Sequence, residues 1–265
     1  MELSNILIPA GIFAGLGILL GVLLAVASRV FAVKTDERVE KIAEALPGAN
    51  CGGCSYSGCA ALAEAIVKGE APANACRAGG AACAEKIGEI MGVAVTAQTP
   101  VRARVLCSGT CGKATEKCRY EGVQDCIAAD RMYGSNKACA FGCMGLGTCV
   151  SVCKYGALQI RDGIAHVDPA ICTGCGACAG ICPKHLIELV PVTASYVVDC
   201  RSKDTGAAVR KVCTAGCIGC RICEKNCPAD AIHVVDNLAV IDQTKCTSCG
   251  TCAQKCPRGI IVAAK

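Results

Sequence analysis

Aromatic residues are scarce in this chain of 265 residues, which has no Trp, three Phe and five Tyr. A core built mainly from aromatic side chains is therefore excluded, and another source of folding free energy is needed.

The glycines of 142–147 lie inside a cysteine-rich run, so they do not form the strand-to-helix turn of a dinucleotide site. The three His are isolated, and no pair of carboxylates is placed for acid–base catalysis. The chain therefore has neither a predicted NAD site nor a predicted catalytic pair.

Charge is also modest and unpatterned, with 27 Lys and Arg against 22 Asp and Glu and a formal net charge of +5. The basic residues are scattered and are not interleaved with aromatic residues, as they are in many nucleic-acid-binding surfaces. We therefore do not expect nucleic acid as a partner.

Charge is absent altogether between Leu3 and Ser28, where the residues are mostly apolar. About 20 apolar residues suffice for a membrane-spanning helix. The small residues 25–27 would suit a signal-peptide cleavage site, but the basic start of such a peptide is missing. We therefore predict an uncleaved anchor over residues 1–33. Four basic residues follow the apolar segment and place the rest of the chain on the cytoplasmic side: Arg29, Lys34, Arg38 and Lys41.

Cysteine, in contrast, is abundant, with 27 residues or about one in ten. A disulfide scaffold is the alternative to a metal protein, but the count is odd and the two-residue gaps recur. Thiols on the cytoplasmic side also stay reduced. These observations favour bound metal.

The first cysteine module is predicted over residues 34–93, where an amphipathic helix at 36–46 ends at Pro47 and Gly48. A glycine-rich loop, two further helices and one distant cysteine follow. Four thiolates can hold an iron–sulfur cluster or a zinc ion, and the glycine-rich loop favours the cluster. The predicted ligands are Cys51, Cys54, Cys59 and Cys76.

Four further runs resemble the bacterial ferredoxin pattern C-x2-C-x2-C-x3-C-P, in which the fourth cysteine serves the other cluster. Two connections of twenty residues, 153–172 and 227–246, each carry two β-branched segments around a turn, which predicts a hairpin and an internal duplication. The first run is looser, and Lys154 replaces the usual proline. Crossed ligation predicts these sets: Cys139, Cys143, Cys149 with Cys182; Cys172, Cys175, Cys178 with Cys153; Cys217, Cys220, Cys223 with Cys256; and Cys246, Cys249, Cys252 with Cys227.

Five [4Fe–4S] clusters use twenty cysteines and leave seven without an assigned role. A sixth cluster in the stretch 107–126 and buried free thiols are both open alternatives for them. The seven are Cys83, Cys107, Cys111, Cys118, Cys126, Cys200 and Cys213.

The predicted fold class is α+β: an N-terminal transmembrane helix, a small helical [4Fe–4S] module and two tandem ferredoxin-like domains of two clusters each. The predicted bounds are 1–33 for the anchor, 34–93 for the module and 94–135 for a cysteine-rich linker. The first ferredoxin-like domain is expected at 136–190 and the second at 191–265.

With its apolar N-terminus, its first cysteine module and its tandem ferredoxin runs, the chain resembles the B subunits of the Rnf complexes, which are ion-translocating ferredoxin:NAD oxidoreductases. The resemblance covers essentially the whole chain. It implies a single-pass protein of the bacterial cytoplasmic membrane that takes electrons from reduced ferredoxin. It also implies relay of these electrons to other Rnf subunits in the membrane, which bind flavin and NAD and export sodium ions or protons. This chain itself would bind neither NAD nor flavin.

Two alternatives stay open. The chain could be a membrane-tethered polyferredoxin that serves another redox enzyme. It could also be a scaffold that is stabilised by structural zinc ions and has no redox role. Co-purifying subunits distinguish the first alternative from the Rnf interpretation, and metal analysis distinguishes the second.

Overall fold

The computed structural model describes residues 4–30, 36–96 and 98–264. The chain divides into two compact units, Met1–Glu37 and Arg38–Lys265. The first unit contains one long helix, α1 (Ser4–Val30), whose large apolar side chains between Phe13 and Val26 are exposed. Among the described residues, no helix has the length and apolar character needed to cross a membrane.

A small three-helix module begins the second unit. Helices α2 (Glu37–Ala45), α3 (Cys59–Val67) and α4 (Gly80–Met91) pack around Ile42, Leu62 and Ile87, which are almost completely buried. The helix predicted at 36–46 is confirmed, with bounds that agree within a residue. Gly92 ends α4 in a left-handed conformation, which a residue without a Cβ adopts at no steric cost.

The rest of the chain forms short elements between the cysteine runs. They are β1 (Val101–Val105), α5 (Cys126–Tyr133), α6 (Thr148–Ser151), β2 (Leu158–Arg161), β3 (Ile164–Val167), α7 (Ala177–Ile181), β4 (Ile187–Pro191), β5 (Tyr196–Val198), α8 (Gly206–Val212), α9 (Ile222–Lys225), β6 (Ile232–Val235), β7 (Leu238–Ile241), α10 (Thr251–Lys255) and β8 (Ile261–Ala263). These residues fold into two similar units, which we call the first and second ferredoxin domains.

Each ferredoxin domain has an inner hairpin and an outer pair of strands, all antiparallel. The inner hairpins are β2–β3 and β6–β7, and the outer pairs are β1–β4 and β5–β8. Both predicted hairpins are thus confirmed. Their turns, Asp162–Gly163 and Asp236–Asn237, have positive φ at both residues, as two-residue hairpin turns of type I′ require.

Strand β1 comes from the stretch 94–135, which the sequence alone predicted to be a linker. It pairs with β4 over five residues, from Val101 opposite Pro191 to Val105 opposite Ile187. The outer strand pair therefore closes the first ferredoxin domain with residues that precede its first cysteine run. Nothing in the local sequence of β1 indicates this partner, which lies more than eighty residues away.

Arg104 connects the two ferredoxin domains. From β1, its Nε and Nη2 donate to the two carboxylate oxygens of Asp199, at 3.1 and 2.7 Å. Asp199 directly follows β5 and its side chain is largely buried, so loss of the guanidinium would leave a carboxylate without its counter-charge.

We expect Arg104→Met to lower the free energy of unfolding by about 1.5–3 kcal/mol, the typical contribution of hydrogen bonds to a charged group. The midpoint of thermal loss of the visible circular dichroism, at fixed scan rate, measures the change. Arg119→Met is the matched control, because Arg119 pairs with Glu121 on the open surface and such pairs contribute little. Equal midpoints for the two variants would contradict the role given to Arg104.

Candidate iron–sulfur centres

The four cysteine runs have the same local geometry. In each, a residue with positive φ stands directly before the short helix that carries the third cysteine: Gly147, Gly176, Arg221 and Gly250. A second residue with positive φ comes three positions after each fourth cysteine, and its N–H donates to the carbonyl of that cysteine: Gly156, His185, Asp230 and Gly259. The first run keeps this turn although Lys154 replaces proline, so proline is not required for it.

The second ferredoxin domain brings together both thiol groups that the spacing predicts. One cavity is lined by Cys217, Cys220, Cys223 and Cys256. Burial raises the pKa of Cys223 to about 11, and the other three thiolates add to the rise. The second group surrounds Cys252, whose pKa is raised by burial and by the nearby thiolates of Cys246, Cys227 and Cys249.

In the first ferredoxin domain, one of the two thiol groups is the predicted one. Burial raises the pKa of Cys178 to about 12, and the thiolates of Cys175, Cys172 and Cys153 add to the rise. These four cysteines include the fourth cysteine of the neighbouring run, so the crossed arrangement is present in the fold.

The other group in this domain differs from the predicted set. Cys143, Cys149 and Cys182 line one cavity, but the fourth cysteine there is Cys126 and not Cys139. When the four runs are aligned on their turns, Leu146 occupies the place of the second cysteine. Position 146 therefore provides no thiol, and Cys126 provides the fourth thiol of this cavity instead. Burial raises the pKa of Cys149 to about 12, with Cys143 and Cys126 among the contributing neighbours.

The position of Cys126 is set by a hydrogen-bond network at the start of α5. Asp125 caps this helix by accepting from the N–H of Ala128 at 2.7 Å. The hydroxyl of Thr148 accepts from the N–H of Cys126 at 2.6 Å and donates to Asp125 at 3.0 Å. Because its carboxylate accepts these hydrogen bonds, the pKa of Asp125 is lowered. Thr148 precedes Cys149, so the network connects two cysteines of one group.

The N-terminal module brings Cys54, Cys59 and Cys76 together. Burial raises the pKa of Cys76 to about 11, and the thiolates of Cys83, Cys54 and Cys59 add to the rise. The side chain of Asn50 accepts from the N–H of Cys59 at 2.7 Å and so holds the loop against the start of α3. Cys83 lies beside this group and interacts with Cys76, while its thiol donates to the carbonyl of Ala45 at 3.2 Å.

Cys51, the fourth predicted ligand of this module, lies at the contact with the first ferredoxin domain. Its thiol interacts with that of Cys175. At Gly53, an added Cβ would lie 2.0 Å from the carbonyl oxygen of Cys175, so the two loops touch through their backbones. The module and the ferredoxin domain therefore present neighbouring thiol groups to each other.

All the cysteines are free thiols, and several accept hydrogen bonds from backbone N–H groups. The N–H groups of Ala157, Leu186 and Ala231 donate to the sulfurs of the cysteines four positions earlier, at 3.3, 3.5 and 3.3 Å. Such bonds stabilise thiolates and tune bound iron–sulfur clusters. Within the described residues, no three or more His, Cys, Asp or Glu side chains meet around a single metal ion. The thiols instead line two cavities with four cysteines each, and this donor set fits iron–sulfur clusters.

Fold and thiol groups thus define the class: a protein of the polyferredoxin type, with an additional helical iron–sulfur module. Three family matches agree with this. Residues 46–78 match "Putative Fe-S cluster", residues 165–188 match "4Fe-4S binding domain" and residues 216–261 match "4Fe-4S dicluster domain".

Relatives extend over nearly the whole chain. The B subunit of the ion-translocating oxidoreductase complex of Methanosarcina acetivorans is 45% identical over 98% of this chain and 99% of its own length. The B subunit of the Na(+)-translocating ferredoxin:NAD(+) oxidoreductase complex of Acetobacterium woodii is 45% identical over 98% of this chain and 78% of its own. The proton-translocating counterpart from Clostridium ljungdahlii is 43% identical over 94% and 89%. The chain belongs to the family of B subunits of ion-translocating oxidoreductase complexes, as the sequence resemblance predicted.

The grouping around Cys126 generates a direct test. We expect Cys126→Ala to remove about one to four irons per chain, because a [4Fe–4S] cluster that loses one thiolate loses iron or disassembles. Iron and sulfide analysis after anaerobic purification measures this loss. Cys118→Ala is the matched control, since Cys118 is exposed and lines neither of the two cavities described above. Unchanged iron in the Cys126 variant would contradict the grouping.

Proposed function

We propose that this chain is the iron–sulfur electron-transfer subunit of an ion-translocating ferredoxin:NAD+ oxidoreductase complex. It takes electrons from reduced ferredoxin and relays them to membrane subunits. The observation that carries the proposal is the series of neighbouring thiol groups, in a chain related over nearly its full length to such subunits. The names of two relatives specify sodium ions and protons respectively, so either ion is compatible with the proposal.

Five [4Fe–4S] clusters belong to this proposal. When bound, such a cluster accepts and releases one electron. The proposed ligand sets are Cys51, Cys54, Cys59 and Cys76; Cys126, Cys143, Cys149 and Cys182; Cys153, Cys172, Cys175 and Cys178; Cys217, Cys220, Cys223 and Cys256; and Cys227, Cys246, Cys249 and Cys252.

Contacts between thiol groups support a relay. Cys51 of the N-terminal module interacts with Cys175 of the first ferredoxin domain. Within that domain, Cys178 contributes to the raised pKa of Cys149, although the two thiols belong to different groups. Short gaps of this kind let single electrons pass from one centre to the next. The thiol group of the N-terminal module and the two groups of the first ferredoxin domain therefore form a continuous series, and the N-terminal module lies at one end of it.

The contact between Gly53 and Cys175 provides the test. Gly53→Ala inserts a methyl group that must push the two loops apart, so we expect ferredoxin-dependent NAD+ reduction by the purified complex to fall several-fold with unchanged iron content. Weaker magnetic coupling between reduced clusters in the electron paramagnetic resonance spectrum should accompany the loss.

Gly180→Ala is the matched control, since a Cβ at Gly180 meets no atom within 4 Å. Full activity of the Gly53 variant would exclude a relay through this contact. If the wild-type complex reduced no NAD+ with ferredoxin, the chain would serve another redox enzyme.

The proposal includes a single-pass anchor over residues 1–33, with the cysteine-containing domains on the cytoplasmic side of the membrane. Its supports are the uncharged segment Leu3–Ser28 and the exposed apolar side chains of α1, together with the basic residues that follow.

Removal of residues 1–33 should release the chain from the membrane fraction, because its apolar segment is lost with them. Immunodetection after ultracentrifugation of cell extracts, compared with the full chain, measures this. A truncated chain that still sediments with membranes would show that partner subunits, and not the anchor, hold it there.

A further inference from the structure

Four cysteines that the five proposed clusters do not use meet at the boundary of the two ferredoxin domains. They line one cavity, which we call the junction cavity: Cys107, Cys139, Cys200 and Cys213. The two cavities already assigned to clusters are each also lined by four cysteines. The junction cavity thus has the same set of donors as the other two.

The junction cavity is built from two equivalent halves. Cys107 lies two residues after β1, and Cys200 lies two residues after the equivalent strand β5. When the runs are aligned on their turns, Cys143 and Cys217 are the first cysteines of their runs, and Cys139 and Cys213 each lie four residues before them. The duplication that produced the two ferredoxin domains therefore also produced two pairs of thiols, and the domain boundary joins them.

Equivalent hydrogen bonds occur in the two halves of the junction cavity. The N–H of Cys143 donates to the sulfur of Cys107 at 3.5 Å, and the N–H of Cys217 donates to the sulfur of Cys200 at 3.3 Å. Both donors are first cysteines of runs. Thus each half of the junction cavity directly adjoins the cluster site of its own domain.

Charged side chains of both signs line the junction cavity, namely Lys137, Asp199 and Arg201, and Asp199 is already paired with Arg104. Lys137, only 2% exposed, donates to the carbonyls of Gly109 and Gly163, both at 2.8 Å. Arg258 donates to the carbonyl of Cys213 at 2.6 Å. A buried ammonium group needs a negative partner, and a cluster held by four thiolates has a net negative charge.

Three of the four thiols of the junction cavity are buried. Cys139, Cys200 and Cys213 are each at most 9% exposed. Because the four thiols line one cavity, a shared metal centre can bind all of them and add its binding free energy to folding.

We propose that Cys107, Cys139, Cys200 and Cys213 bind a sixth [4Fe–4S] cluster between the two ferredoxin domains. Through Cys143 and Cys217 it adjoins the neighbouring cluster of each domain, so it continues the series of centres from the first domain into the second. The ligand set stands on the geometry of the cavity, and only the relay role rests on the proposed function.

The double variant Cys107→Ala/Cys200→Ala tests the ligand set, with Cys111→Ala/Cys118→Ala as the control, because both of these thiols are exposed. Iron, sulfide and zinc are measured on the anaerobically purified full chain. We expect about 24 irons in the wild-type chain and the control, and about 20 in the junction variant. About 20 irons in the wild-type chain, or equal iron in all three proteins, would overturn the proposal. One zinc that is lost only from the junction variant would overturn it as well.

A second variant, Cys139→Ser, separates loss of a ligand from loss of iron through misfolding. It keeps three thiolates and a hydroxyl, so we expect normal circular dichroism in the far ultraviolet with an altered spectrum and potential for one cluster only. An unchanged set of spectra and potentials would contradict the proposal. Ferredoxin-dependent NAD+ reduction is measured separately. Normal activity of a junction variant that lacks four irons would refute the relay role and leave the proposed function intact.

Discussion

The structure depends on the burial of thiols in groups of four. Its ferredoxin domains contain helices of only four to eight residues and sheets of two strands, and such elements are not stable alone. Few aromatic side chains are available, and cysteines form a substantial part of two of the hydrophobic clusters. In the absence of a positive partner, burial keeps these thiols protonated. Metal binding replaces the protons and adds its own free energy to folding.

Duplication explains much of the architecture. The inner hairpin, the outer strand pair, the turn before each short helix and the turn after each fourth cysteine recur in both ferredoxin domains. The two copies diverge where the first run has Leu146 in place of a cysteine. Cys126 then fills the vacant place from a separate helix, positioned by Asp125 and Thr148. The fourth thiol of this cavity thus comes from a residue seventeen positions before Cys143, and the turn of the run keeps the same conformation.

The short separation between neighbouring thiol groups is the feature of the fold on which the proposed function depends. Contacts connect the N-terminal module to the first ferredoxin domain, and the junction cavity connects the first domain to the second. Side-chain hydrogen bonds such as that between Arg104 and Asp199 hold the domains in this arrangement. The proposed electron relay depends on this arrangement, because electron transfer between centres of suitable potential requires that they lie close together and reorganise little.

The sequence by itself determined every feature that is encoded within one loop or one connection. Cysteine spacing predicted the thiol groups of the second domain, the turn residues predicted both hairpins, and the combined motifs identified the family. Only the tertiary structure decided which thiols meet from distant parts of the chain. It placed Cys126 in the position predicted for Cys139, and it joined Cys139 to Cys107, Cys200 and Cys213. The equal four-residue offsets of Cys139 and Cys213 were a visible signal for this pairing, but spacing fixes geometry only within a loop. Between distant parts of the chain, strand pairing and domain packing decide which side chains share a cavity.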